Sequence, residues 1–208
     1  FSFRIKRDGT LARPTLNDFP AIAKENQVVL MLVVTNLEGG QFSTELGSLV
    51  LNNQELQNKL LDNIFATARE LGMGDIHFDM EALPAQDREA YIRFLRRARD
   101  RAHAQGMMVS VALAPKTSAE QQGRWYSAHD YRAIGEIADF VVIMTYEWGY
   151  SGGPPMAVSP IGPVRRVLQY AITEMPAEKI LMGQNLYGYD WTLPFQQGTT
   201  AKALSPQA

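Results

Sequence analysis

Two hydrophobic periods alternate along the chain. Compact β-branched and aromatic runs read as buried strands: FSFRI (Phe1 to Ile5, closed by the turn pair Asp8-Gly9), QVVLMLVVTN (Gln27 to Asn36), MMVSVALAP (Met107 to Pro115), FVVIMTYE (Phe140 to Glu147) and KILMGQNLYG (Lys179 to Gly188). Between them lie stretches of helical period. Asn52 or Asn53 caps a helix through Leu71, where Leu56, Leu60, Ile64, Ala68 and Leu71 fall three or four apart and Gly72 supplies the stop. Pro84 opens a helix with Tyr91, Phe94, Leu95, Ala98 and Ala102 on one face, stopped by Gly106. SAHD (Ser127 to Asp130) has capping-box spacing ahead of a short helix to about Ala138, and Ser159 to Met175 reads as a helix with Pro163 near its start. The tail QQGTTAKALSPQA carries no strong pattern.

The stretch GDIHFDMEAL (Gly74 to Leu83) adds the sixth strand and breaks the rule of the others. Ile76, Phe78 and Met80 are apolar, but His77, Asp79 and Glu81 between them are ionisable. Side chains in a strand alternate with period two, so one face packs under helices and the other carries all three ionisable groups. Strand and helix alternate throughout, which predicts an α/β fold with a parallel sheet and right-handed crossovers. Six strands suit an open doubly wound sheet. They also suit a (β/α)8 TIM barrel that is incomplete by about one βα unit at each end, holding about strands 2 to 7. No linker or repeat divides the chain, so one domain is expected over residues 1–208.

In a barrel the polar face points inward and Glu81 sits at the C-terminal end of its strand, where barrel active sites are built. Two carboxylates so close repel when both are ionised, so one pKa rises and one group keeps a proton near neutral pH. A protonated carboxyl is what general-acid cleavage of a glycosidic bond needs. The alternatives are solvated strand-end acids or a structural ion network. Two further strand ends carry polar and aromatic groups that suit a pyranose: MTYEWGYSGGPP (Met144 to Pro155) and GQNLYGYDW (Gly183 to Trp191). The same residues would also serve as ordinary packing aromatics.

Composition narrows the classes. The 208 residues are 46% hydrophobic and 20% charged with a net charge of -2, enough for a large core and no electrostatic reason to expect nucleic acid or an anionic membrane as partner. No apolar run approaches the roughly 20 residues of a spanning helix, and FSFRIKRDGT shows no charged-then-apolar leader. The absence of cysteine excludes disulfides and thiolate metal sites. His103 and His129 read as a surface helix position and a helix start, so a zinc site at His77, Asp79 and Glu81 lacks imidazole, and no metal or other cofactor is expected. Neither a G-x-S-x-G elbow nor a phosphate-binding glycine loop is present.

At these residues the chain resembles glycoside hydrolase family 18, the chitinase-like barrels. The family signature D-G-x-D-x-D-x-E reads GDIHFDME here: Asp79 and Glu81 match, while Gly74 and His77 replace the first and middle Asp. The family's M-x-Y-D reads MTYE, keeping Met144 and Tyr146 with Glu147 for Asp. FSFRIKRDGTL, VVTN, MTYEWGYSGGPP and LYGYDW resemble the spore and cell-wall N-acetylglucosaminidases of the family, often attached to LysM modules. The resemblance implies a glycosidase of N-acetylated polysaccharide, peptidoglycan or chitin-like, acting outside the cell in a wall or spore envelope during germination. It implies retaining, substrate-assisted hydrolysis with Glu81 as acid/base, Asp79 orienting the substrate acetamide and Tyr146 donating to its oxygen. His77, Met144, Glu147, Trp148, Asn185, Tyr187 and Trp191 are the implied substrate-binding residues, with His77 tuning Asp79. A catalytically dead glycan-binding barrel and a metal-dependent hydrolase are the competing readings. Exposed edges of an incomplete barrel would favour self-association.

Overall fold

A computed structural model describes residues 2–207, so the Phe1 end of the first expected strand lies outside the described residues. In chain order, β1 (Ser2–Ile5) turns at Asp8-Gly9 into β2 (Leu11–Ala12), and α1 (Phe19–Glu25) leads to β3 (Met31–Thr35). A small hairpin, β4 (Leu37–Glu38) and β5 (Gln41–Phe42), precedes α2 (Thr44–Leu51) and α3 (Gln54–Leu71). Then β6 (Asp75–Asp79), α4 (Arg88–His103), β7 (Met108–Leu113), α5 (Tyr131–Ile137), β8 (Phe140–Ile143), α6 (Ile161–Glu174) and β9 (Ile180–Met182) follow. A second hairpin pairs β10 (Gly188–Asp190) with β11 (Lys202–Leu204).

The main sheet runs β2-β1-β3-β6-β7-β8-β9, parallel except for β2 against β1. The six expected strands are the six parallel ones. Their spatial order follows chain order in one direction, with no reversal. A doubly wound sheet reverses its order at a switch point; a single direction of winding puts all right-handed crossovers on one face, as in a barrel. The sheet is therefore TIM-barrel-like and, among the described residues, does not close, since β2 and β9 each have one neighbour.

Register fixes the two faces. Leu32 pairs with Ile76 and Val34 with Phe78, while Ile76 pairs with Val109 and Phe78 with Val111, and all six are fully buried. This face meets the helices: the Phe78 and Phe94 rings pack edge to face at 5.3 Å. The opposite face carries Thr35, Asp75, His77, Asp79 and Ser110.

Helix α3 forms as its pattern demands. The Asn53 side chain accepts from Leu56 N at 3.0 Å, and Gly72 ends the helix in the left-handed region at φ 66°. Three expectations are corrected. The SAHD capping box does not form around Ser127: Asp130 is the N-cap of α5 and accepts from Ala133 N at 3.0 Å, while Ser127 is drawn into the preceding turn by Gly123. β6 stops at Asp79, because β3 runs out at Thr35 opposite it. The tail does pair, through β11. α1, α2 and the two hairpins, too short to impose a period on the sequence, are not among the elements expected from it. Among the described residues no helix is long and apolar enough to cross a membrane.

Candidate active site

Asp79 is the last residue of β6, and Glu81 follows where the ladder has ended. Asn36, just past β3, takes over the pairing with its side chain. Its Oδ1 accepts from Glu81 N at 3.0 Å, and its Nδ2 donates to Glu81 O at 2.9 Å and Ser43 O at 3.0 Å. This amide is fully buried and holds the Glu81 backbone from both sides. Ala82 then adopts φ 56°, a left-handed turn uncommon for a residue with a Cβ, and its carbonyl accepts from Thr44 Oγ1 at 2.7 Å. The opposite wall is close: a Cβ on Gly47 would lie 2.5 Å from Leu83 Cδ2, so any larger residue in α2 would push the Leu83 side chain aside.

Burial pushes the Glu81 carboxyl well above the usual carboxylate range, and the negative charge and hydrogen bond of Asp79 push it further. Burial also raises Asp79, and its hydrogen bond to Glu81 pulls the other way. The pair therefore holds a proton that isolated surface acids would have lost. The second Asp79 oxygen, Oδ1, is buried with no hydrogen-bond partner among the described residues.

Beneath the pair lies a polar chain. Ser110 Oγ donates to Asp75 Oδ2 at 2.7 Å and sits 2.8 Å from His77 Nδ1. While Asp75 is ionised, the single serine hydroxyl proton goes to it, and His77 then donates from Nδ1 and carries its lone pair on Nε2. Burial lowers the His77 pKa to about 4 and raises that of Asp75 to about 6. His129 plays a structural part nearby: Nδ1 accepts from Ala114 N at 2.9 Å, and Nε2 lies 3.1 Å from Met80 O, tying β7 to the strand end of β6. It is buried just ahead of the start of α5, and His103 lies at the surface beside Asp139.

A cavity of about 530 Å³ opens over Glu81, within the ~300–1,000 Å³ range of small-ligand sites. Tyr146, Met144, Glu147 and Trp148 line it, as the sequence leads one to expect. Trp125, Tyr126 and Tyr150 line it as well, and sequence reasoning missed the first two. Their signal was the aromatic pair in GRWYS, which lies in a loop with no strand-end pattern around it. Burial raises the Tyr146 phenol, and the charges of Asp79 and Glu81 add to the shift. Its ring rests against Gly183, where a Cβ would meet Tyr146 Cε1 and Ile143 O at 2.8 Å each.

The remaining expected binders stand behind this wall. Glu147, at φ 65°, accepts through Oε1 from the hydroxyls of Tyr187 and Tyr189, the latter at 2.9 Å. The Asn185 amide is committed to Ser159 Oγ at 2.7 Å and Tyr187 O at 2.7 Å, and the Trp191 indole donates to Gly153 O at 2.9 Å. Asn185, Tyr187 and Trp191 thus brace the Glu147 loop and do not line the cavity, and His77 lies below it. Among the described residues no group of three or more His, Asp or Glu side chains is arranged to hold a metal ion.

Residues 3–206 match the family described as Glycosyl hydrolases family 18. The chain is 62% identical over 208 residues to the cortical fragment-lytic enzyme of Bacillus subtilis (strain 168), covering 100% of this chain and 48% of that protein. The crystal structure of the Bacillus megaterium QM B1551 spore cortex-lytic enzyme SleL superposes with a TM-score of 0.95 at 58% identity, over 99% of this chain and 47% of that one. A chitinase from Chromobacterium violaceum ATCC 12472 superposes with a TM-score of 0.85 at 25% identity, over 99% of this chain and 64% of that one. The chain spans about half the length of the curated relatives it matches.

Proposed function

The chain belongs to glycosyl hydrolase family 18, and on that premise we propose that it hydrolyses β-linked N-acetylglucosamine glycans of peptidoglycan, at the spore cortex. The observation that carries this reading is the Glu81–Asp79 pair: a carboxyl kept protonated by burial and a neighbouring charge, at the wall of a sugar-sized aromatic cavity. Resemblance to cortex-lytic enzymes favours peptidoglycan of the spore envelope over chitin.

In this mechanism Glu81 gives its proton to the glycosidic oxygen as the C1–O bond breaks. The acetamido oxygen of the same sugar forms the new bond to C1, which retains configuration after two displacements. Asp79 accepts from the acetamide N–H and offsets the positive charge that develops on nitrogen. Tyr146 donates to the acetamido oxygen. Glu81, now ionised, takes a proton from the water that opens the oxazolinium ring. His77, fixed in one tautomer by Ser110 and Asp75, sets the polar surroundings of Asp79 from below. Trp148, Met144 and Glu147 form the sugar-facing wall.

The test is acetamide dependence. Reducing ends should appear from N-acetylated peptidoglycan and chitin oligomers and not from the same polymers after de-N-acetylation. Equal turnover of both forms would rule out the substrate's amide as nucleophile.

A further inference from the structure

A second cavity, of about 270 Å³, opens among α4, α5, α6 and the loop after β7, and the glycosidase mechanism makes no use of it. Arg88, Lys116, Asp130, Arg132 and Glu174 all face it. Two of these charges are spent on each other, since Arg132 Nε lies 3.1 Å from Glu174 Oε2. Asp130 accepts from Ala133 N at 3.0 Å as the N-cap of α5 and keeps its negative charge toward the cavity, so the charged lining as a whole is positive by one.

Two cations, Lys116 and Arg88, stand outside that ion pair. Lys116 is only 2% exposed. Its ammonium donates to two carbonyls, His129 O at 3.1 Å and Ala119 O at 3.3 Å, and a third N–H remains. Arg88 donates from Nε to Ser127 O at 3.0 Å, leaving the fork of its guanidinium open. Among the described residues neither cation forms an ion pair with a carboxylate. Burial lowers the Lys116 pKa, the nearby Arg88 charge lowers it further, and Asp130, Glu120 and Glu174 only partly oppose this. Two like charges held together, one of them buried and unpaired, are costly unless a counter-charge joins them.

We infer that this cavity is an oxyanion site, in which a carboxylate or phosphate group bridges Lys116 and Arg88. Both cations keep donors free for it, and the guanidinium fork suits two oxygens of one group. The site is adjacent to the catalytic wall. Tyr131, on its floor, donates to Ala114 O at 2.6 Å and accepts from Lys116 N at 3.0 Å, and Ala114 and Pro115 line the first cavity. The oxyanion therefore has two sources: a carboxylate on a peptide attached to a bound glycan, or free phosphate.

Amide chemical shifts of the whole chain should be followed during titration with inorganic phosphate and, separately, with a muropeptide carrying a free terminal carboxylate. Chloride at matched ionic strength is the reference. Saturable shifts at Lys116, Thr117 and Arg132 with either probe are expected, and the tighter probe names the source. Arg88→Gln and Lys116→Met should each weaken that binding roughly 10-fold or more, the loss of one charge-assisted bond. Should Lys116→Met melt out, Arg88→Gln alone decides, because Arg88 is half-buried and makes one bond. Shifts no larger than with chloride, or unchanged affinity in folded Arg88→Gln, would overturn the site. The readout is binding, so it is separate from glycan hydrolysis.

Discussion

Asp75 shows how far one residue can be pushed by its position. It is 1% exposed, holds one hydrogen bond from Ser110, and leaves Oδ1 without a partner. Burial raises its pKa from 3.8 to about 6. A carboxyl with a raised folded-state pKa holds its proton more tightly in the native state, so it favours folding at low pH and that contribution is lost as pH rises from about 4 to about 6. Asp75→Asn should therefore stabilise the protein at pH 7 by up to about 3 kcal/mol and give little gain at pH 4. Thermal melts at both pH values check this; a gain that is equal at both, or larger at pH 4, would contradict it. The alternation that exposes His77, Asp79 and Glu81 in the sequence also includes Asp75, which was legible but sits at a strand start where solvent is the default. The clamp by Asn36 was not legible. VVTN shows an asparagine ending a strand, but nothing in the sequence says that its amide faces a backbone 45 residues away.

At the scale of elements, strands and long helices were readable because each repeats its period several times. The apolar face of α4 is buried at Tyr91, Phe94, Leu95, Ala98 and Ala102 as the spacing predicts. α2 was missed because its eight residues include Gly47 and a polar start, and its role depends on contact with Leu83 in another segment. Strand ends, where the proposed chemistry lies, are set by neighbours and not by local pattern. Gly183, just past β9, is the clearest case. A methyl group there would press on Ile143 O and on the Tyr146 ring at 2.8 Å, and neither can yield cheaply. Gly183→Ala should destabilise the fold by about 1–3 kcal/mol and reduce turnover by displacing Tyr146. Unchanged melting and unchanged kcat would show that the ring has room to move.

At the scale of the whole molecule, six strands and four helices could be counted in the sequence, but their winding could not. Barrel-like and doubly wound sheets share the same local patterns and differ in strand order, which only the crossovers reveal. The open sheet has consequences of its own. Phe19, Ile22, Val28 and Val29 are exposed around α1 at one side, and Leu181 and Met182 on the edge strand β9 at the other. Unpaired edges and apolar patches of this kind promote association. The 208-residue chain should therefore appear as a dimer or larger species by light scattering, with its mass falling on dilution. A monomer at all concentrations, with a cooperative melt, would count against this.

The central claim is that Glu81 carries the proton of glycosidic cleavage. The direct measurement is the rate of reducing-end release from purified cortex peptidoglycan by the parent chain and by Glu81→Gln, both also made in a longer form extended on each side. Glutamine keeps the shape and removes the proton, so turnover should fall ~10²-fold or more while glycan binding persists. Near-parental turnover in a folded Glu81→Gln would contradict the claim, and a parent that binds glycan but releases no ends in either length would make this a binding barrel.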